Sequence, residues 1–214
     1  MSFYYLVRQG DYLSKIAFDQ GFSDWRTIYN HPLNTDFRSL RPNPNLLYPG
    51  DRLYIPDRSE GALSAPTGQR TRFRTHRGED YLELALVNFR SEPLRNTPYR
   101  LSLDGAIQNG KTDGQGKLRR SIPADTGDVR LTIGGTTLIL RVGNLDPMDD
   151  TDDGGLAGVM GRLSNLGYCG GAASRTMNEN TSAAIRAFQQ DHSLTETGEI
   201  SQPLKDKLRE IHGS

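Results

Sequence analysis

Apolar positions along this chain change period several times. Phe3 to Val7 is a short aromatic and β-branched run, the pattern of a strand. Gly10-Asp11 follows without a spacer, and then Leu13, Ile16 and Ala17 recur at helical spacing, with Gly21 as the stop. The glycine can take a positive-φ corner, and the aspartate can cap the helix. Ser23 stands as a second N-cap before Trp25, Ile28 and Tyr29 at i, i+3 and i+4. A Pro-Asn turn, a Pro49-Gly50 turn and the run Arg52-Leu53-Tyr54-Ile55, closed by Pro56, complete the segment. The order strand, helix, helix, strand predicts two strands paired from the segment's ends, with both helices on one face.

The period then shortens to two. Runs at 81–89, 98–103, 117–123, 128–133 and 136–142 read as strands. Asp104-Gly105 and Gly134-Gly135 are two-residue hairpin signals between such runs. Regular short strands of this kind predict an antiparallel sandwich. Beyond residue 155 the spacing is helical again. Leu156, Val159, Met160, Leu163 and Leu166 form one stripe, ended by Gly167. Ala184, Ile185 and Phe188 form a second, with Asn178 or Asn180 as cap. Leu204, Leu208 and Ile211 form a third, opened by Ser201 with Pro203 in the first turn. Three small helices around one core follow.

Composition sharpens the divisions. The 214 residues carry 26 basic and 26 acidic side chains and 35% apolar residues. Two aperiodic stretches, "DRSEGALSAPTGQRTRFRTHRGED" and the acidic "DPMDDTDDGG", read as breaks. The expected organisation is a first module over 1–57, a linker over 58–80, a β-sandwich over 81–145, an acidic linker over 146–154 and a helical domain over 155–214. The fold class is thus α+β multidomain. Zero net charge removes the footprint of a duplex nucleic-acid binder. No window reaches the roughly 20 apolar residues of a membrane span, so no membrane partner is expected. The N-terminus lacks a basic-then-apolar signal segment, and Cys169 stands alone. The expectation is a cytoplasmic protein as synthesised. The arginines at 70, 72, 74 and 77 read as solvated linker rather than as a binding strip.

The first module's residues resemble a known family. Tyr5, Val7, Gly10-Asp11, Leu13 and Ile16-Ala17, followed by Asn45, Leu47, Pro49-Gly50, Leu53 and Ile55-Pro56, look like a LysM module. That resemblance implies a βααβ fold that binds N-acetylglucosamine-containing glycans such as peptidoglycan. It places the contacts at Gly10, Asp11, Tyr12 and Leu13 on one wall of a shallow groove, and at Asn45, Leu46, Leu47 and Tyr48 on the other. Turn backbone groups can bond N-acetyl and hydroxyl groups there, and Tyr12 or Tyr48 can cover a sugar ring. Each tyrosine also has a plain reading as cover for a small core. The connection "NHPLNTDFRSLRPNP" (30–44) is longer than usual. It resembles LysM variants of proteins associated with type VI secretion and related injection machines, in which a lengthened rim would serve a protein partner.

In the middle, "GKTDGQGKLRRSIP" resembles a hairpin of transthyretin-like sandwiches, and by analogy implies a spacer or platform. At the C-terminus, Leu163, Leu166-Gly167-Tyr168, Thr181, Ala184-Ile185, Phe188-Gln189, Leu194, Thr197-Gly198, Leu204 and Leu208 resemble the three-helix peptidoglycan-binding domain. That likeness implies a second glycan-binding set at Tyr168, Arg175, Asn180 and Gln189. The Asp-Gly and Gly-Pro usual in its first loop are replaced by "CGGAASRTMNEN", which points to a kept fold with altered recognition.

Catalytic patterns are weak. The histidines at 31, 76, 192 and 212 show no zinc-peptidase spacing. Glu83 has no evident partner for an acid–base pair, and Cys169 no adjacent histidine. The run from Asp149 to Gly154 only partly mimics a calcium loop, with Met160 where a bidentate Glu belongs. The expectation is no enzyme activity, no metal and no cofactor. The functional expectation is a non-catalytic peptidoglycan-binding protein, an accessory or cargo of a contractile, type VI-like injection system delivered to a periplasm. The alternative is an intracellular adaptor or immunity-like protein that uses the same modules to grip a spike or effector protein.

Overall fold

The computed structural model describes residues 1–58, 67–70, 79–169 and 175–214. His76 and the arginines at 72, 74 and 77 lie outside the described residues. The chain divides into two units, Met1–Asn45 with Gly50–Gly143, and Leu46–Pro49 with Asn144–Ser214. The sequence reading put a linker between the N-terminal module and the β-rich segment. Both belong to the first unit.

In that unit β1 (Phe3–Leu6) and β2 (Arg52–Ile55) pair antiparallel, Phe3 opposite Ile55 and Leu6 opposite Arg52. Between them lie α1 (Leu13–Asp19), α2 (Arg26–Tyr29), a 3-10 turn (Pro32–Asn34) and α3 (Thr35–Leu40). Ile16, Ile28, Leu53 and Ile55 are 0–1% exposed. Each such side chain contributes about 1.5–3 kcal/mol of burial, and together they hold the helices to the strands.

Two local readings shift. Asp11 does not cap α1; its Oδ2 accepts the Arg8 N–H and the Tyr5 hydroxyl, both at 2.8 Å. The carboxylate closes the turn rather than the helix. Ser23 is not the α2 cap either: Asp24 Oδ1 accepts the Arg26 N–H at 2.9 Å.

The long 30–44 connection is built into the fold. Asn34 is 1% exposed and acts as a backbone substitute. Its amide donates to the Ile28 and Tyr54 carbonyls, and its oxygen accepts the Tyr54 N–H, all at 2.8 Å. Arg41 forks onto Asp51 at 2.8 and 3.0 Å, with both side chains buried. A buried guanidinium needs such a paired, bidentate partner.

The other strands described in the first unit all pair antiparallel. β3 (Glu79–Ala85) pairs with β6 (Lys117–Pro123). β5 (Ala106–Lys111), β4 (Pro98–Leu103), β7 (Asp128–Ile133) and β8 (Thr136–Arg141) form a four-stranded sheet in that order. Tyr99, Leu101, Leu103, Val129, Leu131 and Ile133 from the larger sheet share one core with Leu118 and Ile122 from the smaller. The strand at 106–111 went unread because "AIQNGK" has little β-branched content, although the Asp104-Gly105 turn before it was visible.

The second unit holds α4 (Leu156–Asn165), α5 (Glu179–Asp191) and α6 (Gln202–His212). Their stripes converge: Val159, Leu163, Ile185, Phe188, Leu204 and Leu208 are each fully buried in one cluster. Asn178 caps α5 in a reciprocal pair with Thr181. The acidic stretch is tied to this core rather than loose. Asp149 pairs with Lys205 and Arg209. Burial opposes ionisation of Asp153, but bonds from Thr151 and the Ala157 and Gly155 N–H groups hold its carboxyl below the usual range. Among the described residues no helix is long and apolar enough to cross a membrane.

Candidate functional site

The Gly10 corner is formed as the sequence reading expects, with φ of 84° at Gly10. Its side chains, however, point into the protein. Tyr12 is 6% exposed and donates its hydroxyl to the Thr126 carbonyl at 2.8 Å. Burial, with Asp80 and Asp125 nearby, pushes that hydroxyl well above the usual tyrosine range. Leu13 is core at 3% exposure, and Asp11 is spent on the turn. Gly143 packs so closely that a Cβ there would meet the Gly10 carbonyl and the Tyr12 ring, each at 2.8 Å. The corner is therefore occupied by the protein itself, and what it leaves at the surface is mostly backbone.

The facing set is divided. Asn45 is exposed and donates its N–H to Asn43 Oδ1 at 3.0 Å. Leu46, Leu47 and Tyr48 belong to the second unit, Leu47 buried and Leu46 and Tyr48 half-buried. The Tyr48 hydroxyl is pushed up by burial and then by Asp153, Asp152 and Asp146, against an opposing effect of Arg175. Tyr48 and Arg175, assigned to two different surfaces in the sequence reading, thus share one electrostatic neighbourhood in this unit.

Arg175 is 56% exposed and reaches Asp146 Oδ2 at 2.9 Å, while Asp146 is 4% exposed. A buried carboxylate thus holds a guanidinium that is itself more than half exposed, a charge-assisted contact that fixes its position. The role of Asp146 was missed, because it sits in what reads as an acidic linker. Tyr168 is half-buried, its ring edge-on to Phe188 at 5.3 Å and its hydroxyl donating to Asp191 Oδ2 at 3.0 Å. Burial and Asp191 push that hydroxyl up to about 12, so it remains a neutral donor across the physiological range. Asn180 is exposed in the first turn of α5.

Gln189 does something else. It is 2% exposed, accepts the Gly198 N–H at 2.9 Å and donates to the Thr197 hydroxyl at 3.1 Å. The Phe-Gln and Thr-Gly positions prominent in the sequence are two sides of one internal bond that anchors the loop before α6.

The groups weighed for catalysis are engaged locally. Glu83 lies 64% exposed in an ion pair with Arg119 on the neighbouring strand. Cys169 packs against the helical core, and burial pushes its thiol up. His31 tilts over Tyr54 at 4.8 Å, and His192 packs on Phe188 at 4.3 Å.

No curated protein and no solved structure matches the chain. Its helical end, with three helices around one core and Tyr168, Arg175 and Asn180 at the surface, does have a counterpart among known families: residues 160–208 match the peptidoglycan binding domain, and the chain carries such a domain there.

Proposed function

We propose that the chain is a non-catalytic cell-wall-binding protein that engages peptidoglycan through its C-terminal helical domain. The carrying observation is the match of residues 160–208 to the peptidoglycan-binding family. Tyr168, Arg175 and Asn180 are the contacts proposed for it. They supply a phenol, a guanidinium and an amide, a donor-rich set for hydroxyl, N-acetyl and carboxylate groups. The LysM-like N-terminus is proposed as a second, weaker contact through the backbone of its Gly10 corner and through Asn45. Two weak sites on one chain gain effective concentration if both reach the same polymer. The finer reading is an accessory or cargo of a contractile, type VI-like injection system, made in the cytoplasm and delivered to a periplasm. It rests on the resemblance of the 30–44 connection.

A second reading is favoured by one observation. Tyr12 and Leu13 are buried, which removes two of the side chains a LysM groove would use. In this adaptor reading the modules grip a spike or effector protein instead of glycan.

Sedimentation of the purified chain with peptidoglycan sacculi tests the proposal. Retention that falls on Tyr168→Ala and Arg175→Ala, with no release of soluble muropeptides over time, is the expected result. Release of muropeptides would overturn the non-catalytic assignment. Absence of retention, alongside co-purification of a spike protein, would replace the wall by the adaptor reading.

A further inference from the structure

The outer face of the four-stranded sheet carries a line of cations that wall binding does not use. Side chains alternate between the faces of a strand. Since Tyr99, Leu101, Leu103, Val129, Leu131 and Ile133 face the core, Arg100, Ser102, Arg130 and Thr132 face outward. The pairing register carries this face to both edges. Arg100 stands opposite Asn109 and Thr132, and Pro98 opposite Lys111. Arg130 stands opposite Ser102 and Ile139, and Asp128 opposite Arg141.

Lys111, Arg100, Arg130 and Arg141 therefore sit one on each strand, each displaced by two residues from the last. Diagonal neighbours of this kind lie about 7–8 Å apart, so the four form a straight row of roughly 20–25 Å. All four are exposed. Among the described residues none of them makes an ion pair, a side-chain hydrogen bond or a ring contact. Four like charges in a row repel one another, and an anionic partner relieves that repulsion. Among the paired residues of this face the one carboxylate is Asp128, near one end. Ser102, Asn109, Thr132 and Thr137 flank the row with polar groups, and Ile107 and Ile139 lie beside it, 50% and 57% exposed.

We infer that this row is a docking surface for an extended acidic peptide segment of a protein partner. The pitch is the first argument. Carboxylates at alternate positions of an extended peptide recur every 6.6–6.8 Å or so on one face, close to the spacing of the row. The two exposed isoleucines are the second, since they offer apolar contact to a peptide that a bare phosphate chain could not use. A bilayer would meet the whole face, of which only one diagonal is basic.

The inference stands apart from the cell-wall reading, and its test leaves sacculus retention untouched. The full chain is titrated at low salt into a fluorescent synthetic peptide of alternating glutamate and threonine, followed by anisotropy. Saturable binding is expected, weakened at least about tenfold in the double variant Arg100→Glu/Arg130→Glu. Arg90→Glu, off this face with its guanidinium over the Phe89 ring, should bind as the parent does. Arg100→Lys/Arg130→Lys should keep most of the affinity. Circular dichroism and a melting curve establish that each variant folds, and Lys111→Glu/Arg141→Glu replaces the central pair if that one does not. Equal binding by parent and reversed variants, or no binding by the parent, overturns the proposal. Tighter binding to linear inorganic polyphosphate or to phosphatidylglycerol vesicles than to the peptide overturns it as well.

Discussion

The hydroxyl of Tyr12 and the carbonyl of Thr126, 114 residues apart in sequence, meet at 2.8 Å inside the first unit. Ser14 Oγ adds a second bond, to Asp80 Oδ2 at 2.7 Å. The corner expected to form one wall of a sugar groove is thus a joint between the N-terminal module, which carries three α-helices between its strands, and the β-rich segment. Tyr12→Phe keeps the ring but leaves a buried carbonyl without its donor. A loss of about 1–3 kcal/mol in the first unit's unfolding free energy is expected, read by urea denaturation. Retention on sacculi should not change, because the ring does not reach the surface. A drop in retention with stability intact would return Tyr12 to the list of ligand contacts.

Arg41 and Asp51 form the other strong internal tie, a two-bond ion pair with side chains 3% and 5% exposed. Breaking a buried pair strands a charge, at a cost of about 3–5 kcal/mol. Arg41→Met should reach that range. The double change Arg41→Met/Asp51→Leu should recover much of it, because no lone charge then remains. Urea melts of the two variants and the parent check this. Additive losses would show that the pair contributes little beyond its separate packing.

These ties explain which parts of the fold were legible. The helix stripes and most strands were, because burial imposes a period on the sequence: Leu163, Ile185, Phe188 and Leu204 are spaced as they pack. Capping was less legible. Asp11 and Ser23 have the right chemistry for caps, but neighbouring donors decide where a carboxylate turns, and Arg8 N–H and Tyr5 took Asp11. Of the candidate site, Gln189 was visible as a pattern but not as an internal bond, since a buried amide and a ligand-facing one look alike in sequence. Asp146 was hidden for the opposite reason. A lone acid in an acidic run gives no sign of being 4% exposed. The strand at 106–111 needed its partner, Pro98–Leu103, to be recognised at all.

Gly158 tests whether close backbone approach outweighs helix propensity. It lies within α4, where alanine is intrinsically better by about 1 kcal/mol. A Cβ there would collide with the Pro147 carbonyl and come within 2.8 Å of the Asp146 oxygen. Both are backbone atoms, and Arg162 holds one of them: its Nη1 donates to the Asp146 carbonyl at 2.9 Å and to the Gly158 carbonyl at 2.8 Å. Gly158→Ala should therefore lower the melting temperature of the helical unit. It should also weaken sacculus retention, because Asp146 steadies Arg175. A rise in melting temperature would mean that the 146–148 segment moves aside at little cost.

His212 should make the helical unit sensitive to mild acid. Burial lowers its pKa below the usual histidine value, and the Arg162 guanidinium lowers it further. Asn165 Nδ2 lies 3.0 Å from its Nε2 and Ser214 Oγ 2.7 Å from its Nδ1, so both ring nitrogens have neutral partners. The sign follows from linkage. A base with a depressed folded-state pKa binds its proton more readily once unfolded, so ∂ΔG/∂pH is positive through the window. Its stabilising contribution is complete above about pH 6.5 and is lost as pH falls from there through the lower folded value. Denaturation midpoints of the helical unit, measured between pH 7.5 and 5, should drop toward the acid end. His212→Gln, which keeps a polar group of similar reach but cannot titrate, should flatten that slope while costing some stability at neutral pH. An unchanged slope in the variant would show that the acid sensitivity does not come from His212.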